Sequence, residues 1–128
     1  MAIVILDTNA LSALADGDQK LHKVILKVQQ LMLPVIVLGE YRYGLKRSRE
    51  RIAREEWLIG LESCSLVLPI TPETAQRYAS IREELRLKGF PIPENDLWIA
   101  ALTREHDIPI VTRDAHFDYV TGLKRIVW

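Results

Sequence analysis

The chain has 128 residues, 48% hydrophobic and 27% charged, the composition of a globular protein with a buried core rather than of a disordered or fibrous one. Its 17 basic and 17 acidic side chains cancel to a formal net charge of zero, so it lacks the whole-chain basic balance of many nucleic-acid binders. A local patch is still enough for phosphate contact. One cysteine, Cys64, excludes an intrachain disulfide, and its neighbours Leu61 and Leu66 make it read as a small buried apolar side chain rather than a nucleophile. Asp7 interrupts the first apolar run, so nothing resembles a signal peptide. No apolar stretch approaches the roughly 20 residues that span a bilayer, and the cytoplasm is the expected compartment.

In chain order, Ile3–Leu6 reads as a buried strand, apolar and β-branched. Thr8 to Asp16 reads as a short helix stopped by Gly17, and Asp18 to Leu31 as a second, with Leu21, Val24, Ile25 and Val28 at helical spacing. Pro34 breaks it, and Val35, Ile36 and Val37 read as the second strand. Gly39 to Lys46 is helical and continues after a turn as Glu50 to Leu61. Leu66 to Ile70 is a third strand, placed at an edge or end by Pro69. Thr71-Pro72 is a cap followed by proline at the first helical position, opening a helix that runs to about Lys88 and ends at Gly89. Phe90 to Pro93 is a loop, Asn95 to Glu105 a helix, and Ile108 to Thr112 and Arg125 to Val127 the last strands. With no linker or repeat, this alternation predicts one α/β domain over residues 1–128: a parallel sheet with helices on both faces.

Four acids fall where such a sheet puts its ligands. Asp7 follows the first strand, Glu40 lies just beyond Val37, Asp96 is in the first turn of its helix, and Asp114 follows the strand ending at Thr112. Strand carboxyl ends and helix amino ends share one edge in an open parallel sheet. Taken singly, such acids serve as helix caps; together they repel by about 3 kcal/mol per pair at about 5 Å, which a divalent cation offsets. All-oxygen ligands favour Mg²⁺ or Mn²⁺ over zinc.

The segments Ile5-Leu6-Asp7-Thr8-Asn9, Glu40 with Gly44, Asn95-Asp96 with Ile99-Ala100-Ala101, and Ile110-Val111-Thr112-Arg113-Asp114 with His116-Phe117 resemble, in order and spacing, a PIN-domain protein. The likeness is to the VapC-type toxins of toxin–antitoxin pairs and covers essentially the full chain. One departure is Tyr41, where the family often has leucine. The resemblance implies a three-layer α/β/α sandwich, Mg²⁺- or Mn²⁺-dependent ribonuclease activity, homodimerisation, and inhibition by a small cognate antitoxin. It implies Asp7 and Asp96 as principal metal ligands, with Glu40 and Asp114 completing the pocket. It also implies Thr8, Asn9 and Thr112 as supporting polar residues, with Asp118 as an additional acid.

The expected chemistry is metal-assisted hydrolysis of an RNA phosphodiester, leaving 5′-phosphate and 3′-hydroxyl ends. The three histidines, His22, His106 and His116, lie on different elements, which argues against a histidine-pair route through the 2′-hydroxyl. Only His116 is near the acidic edge, and it reads as structural or peripheral. Arg47, Arg51 and Arg54, at helical spacing, are the candidate phosphate contacts, and Arg82, Arg86 and Lys88 are weaker ones. Three other readings remain: a phospho-acceptor receiver domain, which lacks the paired acids and lysine it needs; a non-catalytic PIN module; and a nuclease acting on DNA or flaps.

Overall fold

In the computed structural model, which describes residues 3–128, five strands form one parallel sheet in the order β3-β2-β1-β4-β5. The strands are β1 (Ile3–Leu6), β2 (Gln30–Pro34), β3 (Leu66–Leu68), β4 (Ile110–Val111) and β5 (Arg125–Ile126). The helices are α1 (Thr8–Ala15), α2 (Gln19–Leu26), α3 (Val35–Leu45), α4 (Arg51–Ser63), α5 (Pro72–Lys88) and α6 (Glu94–His106). A 3-10 turn spans Ala115–Tyr119. The architecture is the expected three-layer α/β/α sandwich. No helix among the described residues is long and apolar enough to cross a membrane.

The chain winds outward from β1 through β2 to β3, then returns to the other side of β1 to add β4 and β5. The order therefore reverses between β1 and β4, and a doubly wound sheet opens its ligand crevice at the carboxyl ends flanking that switch. β1 pairs on both sides, with Ile3 opposite Gln30 and Leu6 opposite Val111. Val4, Ile5 and Leu6 are consequently wholly buried, and the chain leaves the core at Asp7.

Local chemistry sets several boundaries as the sequence predicts. Thr71 caps α5 through the Thr74 amide, Pro72 occupies the first turn, and Gly89 ends the helix at φ 76°, a left-handed conformation that glycine adopts without a Cβ clash. The second strand is a correction. Val35–Val37 is the first turn of α3; the strand is Gln30–Pro34, and α2 stops at Leu26. Val37, Leu38, Tyr41 and Leu45 are the buried residues of α3, a helical spacing that outweighs the β-branched triplet. Leu31, expected at the end of the second helix, belongs with Leu33 to the sheet core. Pro34 closes the strand and takes the cap position of α3, where its missing N–H costs nothing.

Cys64 is a second correction: it is exposed. It follows the last turn of α4 and precedes the edge strand β3, whose Leu66 and Val67 are exposed as well. A short edge strand covered on one face only does not bury its flanks.

Candidate active site

Asp7 occupies the turn from β1 into α1 and is only 3% exposed. Its Oδ1 accepts from the Ala10 amide at 2.8 Å, capping α1, and its Oδ2 accepts from the Thr112 hydroxyl. Thr112 is itself buried at the end of β4, and its Oγ1 accepts from the Asp114 amide at 2.9 Å. One threonine thus ties the two acids flanking the switch point to each other.

The chain of contacts continues. Asp114 Oδ1 lies 2.8 Å from His116 Nδ1 and accepts from the His116 amide at 3.4 Å, so Asp114 caps the 3-10 turn and aims its imidazole. His116 Nε2 lies 2.7 Å from Asp96 Oδ2 in the first turn of α6. Phe117, fully buried beside it, holds the turn against the core. Asp96, Asp114 and His116 each offer one donor atom, and all three atoms lie within 4.8 Å of one another. His116 is therefore part of the cluster and not peripheral. Position in the sequence understates it, because its separation from Asp114 by one residue becomes a contact only when a tight turn follows the acid.

Glu40 reaches the site by another path. It sits on the second turn of α3, one turn later than a post-strand position, and its Oε1 accepts from the Thr8 hydroxyl at 2.7 Å. Asn9 is exposed on the first turn of α1. Asp118 does not join the cluster: its carboxylate binds Arg125 through two contacts of 2.9 Å, on the solvent side of the 3-10 turn.

Electrostatics mark the cluster as under-neutralised. Burial pushes the Asp7 carboxyl above its ordinary range, against hydrogen bonds from Thr112 and Ala10, and the charges of Asp96 and Asp114 push the same way as burial. Burial likewise raises Asp96, opposed by His116 and reinforced by Asp114 and Glu40. Carboxyls raised by burial and by one another fit a site built for a cation. The donors are oxygens with a single imidazole, a set suited to a hard or borderline divalent ion.

The basic residues are dispersed. Arg47, Arg51 and Arg54 do not form one stripe, because α3 ends at Leu45 and α4 begins at Arg51, leaving Arg47 in the turn beside Tyr43. Arg54 pairs with Asp16 at 2.9 Å and Glu50 at 3.7 Å. It lines a groove of about 300 Å³ that also contains Thr8, Glu40, Ser12 and Ser48. Arg51 is exposed and has no ion-pair partner among the described residues. Arg82, Arg86 and Lys88 are engaged by Glu94, Glu83 and Glu84.

Comparison with known proteins agrees with this geometry. Residues 4–123 match the PIN domain family model. The chain is 30% identical over 120 residues to ribonuclease VapC5 of Mycobacterium tuberculosis, covering 92% of this chain and 87% of that one. Its fold is similar to that of VapBC2 from Rickettsia felis bound to a promoter DNA fragment, with a TM-score of 0.88 at 23% identity over 98% of each chain. DNA-bound VapBC from Salmonella typhimurium gives a TM-score of 0.88 at 24% identity, over 100% of this chain and 99% of that one.

Proposed function

The chain belongs to the PIN-domain family and resembles its VapC ribonucleases, and on that premise we propose that it is the ribonuclease toxin of a toxin–antitoxin pair, hydrolysing RNA at the acid cluster. The observation that carries this reading is the convergence of Asp7, Asp96 and Asp114, with Glu40 beside them, at the switch point of the sheet, where Thr112 and His116 link three of the four. The same convergence disfavours a non-catalytic module, since an idle surface has no reason to keep one buried and three half-buried acids that repel one another.

Asp7 and Asp96 would hold a divalent cation, Mg²⁺ or Mn²⁺, with Glu40 and Asp114 completing the pocket. When bound, such a cation polarises the scissile phosphate and lowers the pKa of an attacking water. The chain's own residues do the positioning. Thr112 keeps Asp7 and Asp114 in register, the amide of Ala10 fixes the other Asp7 oxygen, and Thr8 restrains Glu40. Hydrolysis breaks the bond from phosphorus to the 3′ oxygen, which takes a proton, leaving 5′-phosphate and 3′-hydroxyl ends. The groove from Thr8 and Glu40 to Arg54 is one path for the phosphate backbone, with Arg54 as its positive side, and Arg51 lines a second groove with Arg42 and Lys46.

The partners proposed are RNA, a second copy of this chain in a homodimer, and a VapB-type antitoxin; the compartment is the cytoplasm, and residues 1–128 act as one PIN domain. Induced expression tests the reading. It should arrest growth and yield new RNA 5′ ends, both suppressed by a co-expressed antitoxin encoded beside the toxin and both absent for Asp96→Asn. Equal toxicity of the two forms rejects it.

A further inference from the structure

His116 stands between two of the acids, and we propose that it is itself a metal ligand: its Nε2 binds the divalent cation, and Asp114 is the carboxylate that orients the ring. The proposal rests on the acid cluster holding a divalent cation.

The two sides of the imidazole are held differently. On the Nδ1 side, Asp114 Oδ1 lies 2.8 Å from the ring nitrogen and also accepts from the backbone amide of His116. That oxygen belongs to the same turn, so the contact is local. On the other side, Nε2 meets Asp96 Oδ2, from α6, at 2.7 Å. Nε2 is the ring nitrogen that hydrogen-bonds, sharing a proton with Asp96, and a cation bound there would take the Nε2 lone pair and release that proton. The donor atoms of Asp96, Asp114 and His116 lie within 4.8 Å of one another. Metal-binding histidines commonly give one ring N–H to a carboxylate and turn the other nitrogen to the ion.

The chemistry of the ligand changes which ion is preferred. Carboxylates alone suit Mg²⁺, Ca²⁺ and Mn²⁺, whereas imidazole suits later transition ions, whose affinity for nitrogen sites rises from Mn²⁺ onward. One nitrogen among oxygens biases the site toward Mn²⁺ and Co²⁺ over Mg²⁺. The backbone of His116 is secured by the buried Phe117, so the ring can be removed without unseating the turn.

The test is metal binding by the full chain. Calorimetry with Mn²⁺ and with Mg²⁺ is run on the wild type, His116→Ala and His116→Gln, with pulsed EPR of bound Mn²⁺ to detect coupling to an imidazole nitrogen. Thermal melts confirm folding. The expected result is Mn²⁺ bound more tightly than Mg²⁺ by the wild type, with a nitrogen coupling. Both His116 variants should lose about 10–100-fold in Mn²⁺ affinity, lose the coupling, and hold Mg²⁺ within about threefold of the wild type. Wild-type Mn²⁺ binding without nitrogen coupling, or an unchanged ratio of the two ions in the variants, overturns the proposal while leaving the acid site intact. Absence of saturable binding of either ion by the wild type overturns the metal reading and this proposal with it.

Discussion

Thr112, at the end of β4, donates its hydroxyl to Asp7, at the end of β1, across the point where the strand order reverses. The same oxygen accepts from the Asp114 amide at 2.9 Å. Thr112→Val keeps the shape of the side chain and removes both hydrogen bonds. Leaving a buried carboxylate without its donor costs about 1–3 kcal/mol. Urea denaturation should show that loss, RNA cleavage should fall steeply, and Thr112→Ser should recover most of both.

The acid cluster works against the fold when no cation is bound. The Asp7 carboxyl is raised above the ordinary aspartate range, burial being the largest cause. A raised carboxyl makes its full contribution to stability below the unfolded value and loses it as pH rises through the folded one, so at neutral pH the ionised Asp7 is destabilising. Asp7→Asn keeps an oxygen for the Ala10 amide and removes the charge. In chelator at pH 7 it should melt higher than the wild type, by about 3–5 °C for about 1 kcal/mol, while cleavage is abolished. A lower melting temperature would contradict the electrostatic reading of the cluster.

Glu84 has the opposite sign. Burial pushes its carboxyl up, but the Thr121 amide at 2.8 Å, Arg104 at 3.0 Å and Lys88 at 3.3 Å together bring it down to about 2 from 4.5. Stability from this group is complete above the unfolded value and is lost as pH falls from about 4.5 toward 2, a loss of about 3 kcal/mol. Glu84→Gln should flatten that limb of the stability profile and lower stability at pH 7. Glu84 ties α5 to α6 and to the turn before β5, so the effect is on the fold, and cleavage per folded molecule should not change.

The arginines separate by what they already hold. Arg51, exposed and without an ion-pair partner among the described residues, is free to meet phosphate, whereas Arg54 is engaged by Asp16 and Glu50. Arg51→Ala should reduce the salt slope of RNA binding by about 0.7 for each phosphate that the guanidinium neutralises. Arg54→Ala should change the slope less. Filter binding across a salt series distinguishes them; equal slopes for the wild type and both variants would remove the basic path from the substrate route.

The features legible in the sequence are those whose signals are local. Thr71-Pro72 and Gly89 mark their helix ends because caps and left-handed stops depend on neighbours in sequence. Asp7 and Asp114 stand out by their place after apolar runs, and Asp96 by its place at a helix start. Val35–Val37 misleads because β-branched residues favour strands when taken alone, while the spacing of Val37, Leu38, Tyr41 and Leu45 reports which face is buried. The shift moves Glu40 from the first turn of its helix to the second, where it meets Thr8 across 32 positions of sequence. His116 and Asp118 exchange roles for a similar reason. The 3-10 turn after Asp114 aims His116 inward, and Arg125, brought near by β5, takes Asp118. Neither the turn nor the pairing of β4 with β5 is written in the acids themselves.

Cleavage of a defined RNA by the purified chain, stripped of metal and then titrated with Mn²⁺ or Mg²⁺, is the most direct measurement. A metal-holding acid cluster predicts no cleavage in chelator, activity restored by either ion, 5′-phosphate ends, and no restoration for Asp96→Asn. Cleavage that persists in excess chelator, or that Asp96→Asn supports at the wild-type rate, would contradict it.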